Sequence, residues 1–273
     1  MRVAGLHIYP VKSTRGQDVE AAQVERWGLA GDRRFLVVDD DSRHATARED
    51  ARLLSVSAVE RGASELILHG PHADPVVVDG FGRPTTRVHI WGDEVSAVRP
   101  SAEADAWFSA LLVREVGLVW LDDLTSRPVN PAYGVPGDTV SFADGYPLLL
   151  TATASLSQLN DWITATAAER GEFDVEPLTM RRFRPNVVVE TTEPFAEDGW
   201  RRVRIGSVPF RVAKGCDRCV LTTIDPDTLV KGHEPIRTLA RYRKRDGKVW
   251  FGVNLIPDGT GPVRLREDVE VLV

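Results

Sequence analysis

The 273-residue chain has two cysteines, and both lie in Cys216-Asp217-Arg218-Cys219. A CxxC pair is open to three readings: half of a zinc site, a thioredoxin-like redox pair, or two structural or incidental thiols. Zinc asks for further soft ligands. There is no second CxxC, and the six histidines do not cluster at ligand spacing. A redox pair asks for a strand–helix–strand setting with the first thiol at a helix N-terminus. Here strand-like Val208–Val212 precedes the motif and strand-like Val220–Ile224 follows it. Arg218 and Lys214 are close enough in sequence to favour a thiolate. Spacing alone still puts structural or incidental thiols ahead of catalysis.

The elements that must position these thiols are mostly short strands. Val3–His7, Arg34–Val38, Leu53–Val59, Leu66–His69, Val76–Val78, Arg87–Ile90 and Val95–Val98 are strand candidates between turn signals such as Trp91-Gly92-Asp93. Short strands at that spacing suggest a barrel or sandwich. Ser101 is the N-cap expected for a helix over Ala102–Leu112, with Ala104, Trp107, Phe108 and Leu111 on one face. Residues 122–147, rich in Pro and Gly, read as a long loop, a feature more often functional than idle. The domain boundary is placed there, giving 1–120 and 121–273. A second helix is expected over Ala154–Glu169. Strands then return at Asn186–Glu190, Arg201–Ile205, Val208–Val212, Val220–Ile224, Val249–Leu255 and Val269–Val273. A third helix interrupts them, with Pro235 in its first turn, Ile236, Leu239 and Ala240 inward, and Gly247 at its end.

Strands and helices do not alternate regularly, which argues against a doubly wound parallel sheet. GxGxxG and P-loop patterns are absent. The formal net charge of −6 argues against a general nucleic-acid binder. No apolar run is long enough for a membrane span, and the N-terminus lacks the pattern of a signal peptide. Two cysteines make no disulfide framework, so a reducing cytoplasm is expected.

Several motifs in order resemble a known family. The stretch Cys216-x-Arg218-Cys219-x-x-Thr222-Thr223-x-Asp225-Pro226-Asp227-Thr228 resembles the signature of the MOSC-domain superfamily. The resemblance is to the two-domain branch of mitochondrial amidoxime-reducing components and their bacterial relatives. Tyr9-Pro10-Val11-Lys12-Ser13, Gly31-Asp32-Arg33-Arg34-Phe35 and Ile90-Trp91-Gly92-Asp93 resemble its N-terminal barrel. Pro147-Leu148-Leu149-Leu150, Ala154-Ser155-Leu156, Phe183-Arg184-Pro185-Asn186 and Phe251-Gly252-Val253-Asn254-Leu255 resemble the MOSC domain proper. The resemblance implies a mainly β (α+β) fold: a β-barrel-like N-terminal domain packed on a β-barrel MOSC domain with a few peripheral helices.

It also implies a molybdenum cofactor, a metal held by the dithiolene of a phosphate-bearing pterin. Thiolate is the soft ligand such a metal prefers, and the family's metal-binding cysteine corresponds to Cys219. Lys12, Ser13, Arg33 and Arg184 match the positions the family uses for the phosphate. Thr153, Ser155 and Asn186 are the remaining cofactor candidates. All would have to converge in a cleft between the domains. Taken singly, Lys12, Arg33 and Arg184 read as ordinary surface charges and Ser155 as a helix N-terminal residue; the motif match turns them toward function. The basic run Arg237, Arg241, Arg243, Lys244, Arg245 reads as a solvated helix face, and Asp225-Pro226-Asp227 as a tight turn.

The implied activity is reduction of N-hydroxylated compounds such as amidoximes or hydroxylamines. Two cysteines cannot ligate an iron–sulfur cluster, so a separate protein, ferredoxin-like or a flavin reductase, would supply electrons. The alternative is a cofactor carrier or sulfur carrier without redox turnover. Three departures stand out: Leu229 where relatives usually have Gly, Thr14 where many have Cys, and Thr153 where animal members have Asp.

Overall fold

A computed structural model describes residues 1–61, 65–71, 73–81 and 85–272. Strands dominate, and three α-helices occur among the described residues. The chain folds as two compact units. One holds Met1–His7, Asp18–Arg26 and Leu148–Val273; the other holds Ile8–Gln17 and Trp27–Pro147. The division expected at residue 120 differs from these units. Residues 121–147 stay with the N-terminal strands because buried cations pin them there. Arg127, 2% exposed, pairs with Asp93 at 3.1 Å, and Lys12 donates to the Phe142 carbonyl.

In the C-terminal unit the central strands Leu148–Ala152, Val187–Glu190 and Lys248–Pro257 are nearly continuous apolar runs, as strands buried on both faces require, whereas Arg202–Ile205 alternates exposed and buried. The sheet runs Val269–Leu272, Arg202–Ile205, Val208–Asp217, Lys248–Pro257, Leu148–Ala152, Val187–Glu190, Arg2–Ile8. Leu148–Ala152 and Val187–Glu190 pair in parallel. A parallel pair needs a crossover, and the helix Thr153–Ala168 lies between them in sequence. Leu159, Ile163, Phe183, Leu239 and Phe251 form the core beneath that helix. Pairing of Val208–Asp217 with Lys248–Pro257 slips twice, between Val212 and Lys214 and between Gly215 and Asp217. Such bulges bend a strand and re-aim its side chains, and here they lead directly into the cysteine loop. Gly252, at φ +76°, sits opposite; a Cβ there would lie 2.7 Å from the Leu150 carbonyl oxygen.

In the other unit, Phe35–Asp39, Val116–Trp120, Asp93–Val98 and Thr85–Ile90 form one antiparallel sheet. Ser57–Glu60, Leu66–Gly70 and Ala73–Val78 form a second. Leu36, Val38, Val88, Ile90, Val119 and Phe142 lie in one core cluster. The helix Ala102–Leu112 begins where expected, with Ser101 Oγ accepting from the Ala104 N–H at 3.1 Å.

Local chemistry overturns several expected elements. Leu53–Ser55 is not strand but part of a 3₁₀ turn, Ala51–Ser55, because Asp50 caps the Arg52 N–H. Val220–Thr223 is likewise 3₁₀ rather than strand. The hydroxyls of Thr222 and Thr223 donate back to the carbonyls of Cys219 and Val220 at 2.9 and 2.8 Å, which competes with extended pairing. The third helix is Ile236–Tyr242. Thr238 is buried, whereas Ala240, expected inward, is exposed. Gly247 does not end that helix. It forms a two-residue hairpin turn with Asp246, both at positive φ (+72° and +50°), the Asp-Gly signature of a type I′ turn. The expected last strand is seen as Val269–Leu272; Val273 lies outside the described residues. Val116–Trp120 is a strand the pattern reading passed over.

Candidate functional site

In the N-terminal unit the structure brings Lys12 and Arg33 to one residue, Phe142. Lys12 Nζ donates to the Phe142 carbonyl at 2.8 Å, and the Phe142 N–H donates to the Arg33 carbonyl at 2.9 Å. Arg33 is oriented from two sides. Its guanidinium donates to Asp32 at 2.5 Å and lies 4.2 Å over the Tyr9 ring. Asp32, buried, also accepts from the Tyr9 N–H at 2.8 Å.

Sequence reasoning missed the counter-charge. Asp144 pairs with Lys12 and, at 2.9 Å, with Arg48. Burial lowers the Lys12 ammonium to about 8; Asp144 opposes this fall while Arg127 and Arg33 add to it. Partial desolvation raises the Asp144 carboxyl, but the charges of Lys12 and Arg48 outweigh that and hold it far below the usual carboxylate range. The cluster thus has Lys12, Arg33, Arg48 and Arg127 against Asp32, Asp93 and Asp144, an excess of positive charge suited to an anion. A charged residue inside a Pro- and Gly-rich loop was the one signal that pointed to Asp144.

In the C-terminal unit, Cys219 is a half-buried thiol at the entry to the 3₁₀ turn Val220–Thr223. Arg218 serves Cys216: its Nη1 lies 2.8 Å from Cys216 Sγ, and its Nη2 donates to the Phe183 carbonyl at 2.6 Å. Arg218 Nε is buried with no hydrogen-bond partner. Lys214, expected to favour a thiolate, pairs with Asp217 at 3.1 Å. Among the described residues no group of three or more His, Cys, Asp or Glu is placed to hold a metal. A protein-ligated zinc therefore finds no completing ligands there. A metal brought by its own organic ligand needs from the protein only one thiolate.

Arg184 follows the 3₁₀ turn Met180–Phe183 at φ +55°, directly before Pro185. That backbone is disfavoured for a non-glycine and more so before proline. Ser13 (+69°) and Arg33 (+49°) are also left-handed. Three of the four expected phosphate-binding residues thus carry backbone strain, which clusters at functional sites. Asn186 is buried, donating to the His7 carbonyl and accepting from the Leu149 N–H, both at 3.2 Å. Thr153 Oγ1 accepts from the Thr191 N–H at 3.2 Å. Ser155 Oγ lies 2.8 and 2.9 Å from the two Glu197 oxygens and accepts from the Phe195 N–H at 2.8 Å. Glu197 is fully buried, and burial raises its pKa above the ordinary 4.5.

Residues 1–115 match the MOSC N-terminal beta barrel domain, and residues 137–270 match the MOSC domain. The chain belongs to the MOSC family. Mitochondrial amidoxime reducing component 2 of Macaca fascicularis is 35% identical over 257 residues, covering 89% of this chain and 73% of that protein. Mitochondrial amidoxime-reducing component 1 of Homo sapiens is 30% identical over 291 residues, covering 99% and 82%. The cytoplasmic expectation for this MOSC chain rests on cysteine count, whereas these relatives are mitochondrial by name. No helix among the described residues is long and apolar enough to cross a membrane.

Proposed function

We propose that this MOSC protein binds a molybdenum cofactor through Cys219 and reduces N-hydroxylated compounds with electrons from a separate protein. The observation that carries the reading is the half-buried Cys219 thiol at the end of a twice-bulged strand, in a chain similar to amidoxime reducing components over most of its length. Cys219 is the metal ligand and the one catalytic residue. Lys12, Ser13 and Arg33, with Arg184, hold the phosphate. Asn186, Thr153 and Ser155 contact the pterin or fix the backbone that does; the Ser155 hydroxyl, already engaged by Glu197, fixes the helix start. When bound, the cofactor supplies a two-electron redox centre. The reaction R–NHOH + 2e⁻ + 2H⁺ → R–NH2 + H2O breaks the N–O bond.

A second reading, sulfur carriage, has one observation in its favour: the Arg218 guanidinium on Cys216 Sγ suits a thiolate that accepts sulfur. A persulfide on Cys216 after incubation with a cysteine desulfurase would support it.

The test compares molybdenum content and turnover of benzamidoxime, driven by a dithionite-reduced viologen, in wild type, Cys219→Ser and Cys216→Ser. Cys219→Ser is expected to lose bound molybdenum and Cys216→Ser to retain most of it. Full metal retention in Cys219→Ser, or no turnover by metal-loaded wild type, would count against the reductase reading.

A further inference from the structure

An unbroken run of ring contacts leads from the surface to the cysteine loop, all within the C-terminal unit. Tyr242, 39% exposed, stacks on Trp162 at 4.5 Å and 12°. Trp162 stacks on Phe195 at 5.3 Å and 11°. Phe195 lies 6.3 Å from Phe251, and Phe251 lies 3.9 Å from Phe183. The Arg218 guanidinium sits 5.5 Å over Phe183. One arm of Arg218 touches Cys216 Sγ, and the peptide bond after it leads to Cys219. Phe195 holds its place at φ +61°, a left-handed conformation disfavoured for a bulky residue. Arg243 braces its ring at 4.1 Å.

The exposed end of this run is basic. Residues 241–248 carry Arg241, Arg243, Lys244, Arg245 and Lys248 against Asp246, with the carboxylates of Glu169, Asp198 and Asp217 beside them, in a chain of formal net charge −6. Arg241, Arg245 and Lys248 have side chains 51%, 62% and 52% exposed. Arg241 pairs with Glu169, Arg243 and, at 3.9 Å, Arg245 with Asp198, and Lys248 with Asp217. Exposed pairs contribute little to stability, so a partner's carboxylates can replace those of Glu169 and Asp217.

We propose that the surface around Tyr242 docks an acidic one-electron redox protein, and that the rings from Tyr242 to Phe183 carry its electron toward the Cys216–Cys219 loop. The inference rests on the reductase reading above. Two reduced donors each give one electron, and with two protons the substrate N–O bond breaks to give amine and water. Opposite charges speed the encounter at low salt and lose that effect as salt rises.

The test uses the full-length protein and a reduced plant-type [2Fe–2S] ferredoxin, an acidic donor, beside a reduced viologen. In Lys244→Glu/Arg245→Glu, the KM for ferredoxin should rise about tenfold and its salt dependence should flatten. Viologen-driven turnover should stay within about twofold of wild type. Trp162→Leu should lower ferredoxin-driven kcat while leaving the KM for ferredoxin and the viologen rate unchanged. An unchanged KM in the charge variant, or equal loss with both donors in either variant, would overturn the proposal. If wild type turns over with neither donor, the reductase reading fails. Docking is then still decided by titrating metal-free, ¹⁵N-labelled protein with ferredoxin: amide shifts confined to 241–248 support the docking surface, and shifts elsewhere or none refute it.

Discussion

Lys12 shows how a single side chain sets a pH window. Burial pulls its ammonium to about 8 from 10.5. The group is therefore charged below pH 8 and neutral above it. The sign for stability follows: between 8 and 10.5 the unfolded chain binds more protons, so stability rises with pH across that window. Anion binding runs the other way, since it needs the charge. Inorganic phosphate affinity should fall several-fold between about pH 7 and about pH 9.5. Lys12→Arg, which stays charged, should abolish most of that fall. Isothermal titration measures both; a wild-type affinity that stays flat across the range would remove Lys12 from the anion site.

At the scale of elements, the turn after Asp225 shows how a motif tolerates a departure. Asp225 Oδ1 accepts from the N–H groups of Asp227 and Thr228 at 2.9 and 2.8 Å. This is the tight turn expected from Asp225-Pro226-Asp227. The turn then requires φ +61° at Leu229, the left-handed backbone that glycine adopts most readily. The left-handed backbone costs a branched residue about 1–2 kcal/mol, partly offset by the entropy glycine loses on folding, about 0.5–1 kcal/mol. Leu229→Gly should therefore stabilise the protein by up to about 1 kcal/mol, read as a higher urea midpoint with an unchanged slope. A lower midpoint would show that Leu229 packs better than its backbone suggests. The same scale explains the failed strand at Val220–Ile224: two threonine hydroxyls turned an apolar run into a 3₁₀ turn.

At the scale of the whole molecule, the C-terminal unit depends on the first residues of the chain. Val187–Glu190 lies between Leu148–Ala152 and Arg2–Ile8 in the sheet, with Leu6 opposite Val187 and Arg2 opposite Glu190. Val3 and Leu6 are each 1% exposed, and burying each is worth about 1.5–3 kcal/mol. Losing both removes a large part of a domain's usual stability of about 5–15 kcal/mol. A fragment of residues 148–273 should therefore lack a cooperative thermal transition by circular dichroism, and adding a peptide of residues 1–26 should restore one. A cooperative transition in the bare fragment would mean that the first strand is dispensable.

The sequence by itself determined the family, the strand-rich character, the capped helix at Ser101 and the identity of the candidate chemical groups. Each of these depends on residue type at short range: a hydroxyl three residues before an N–H, or a thiol within a fixed motif. It did not reveal Asp144 on Lys12, Arg218 on Cys216 rather than Cys219, or the ring contacts from Tyr242 to Phe183. Lys12 and Asp144 are 132 positions apart, and no local periodicity registers a partner at that distance. Nor did it show that Asp246-Gly247 opens a hairpin, although the dipeptide itself carried that signal. Only the tertiary structure decided which charges neutralise one another, because burial and distance set that balance and neither is a property of a residue alone.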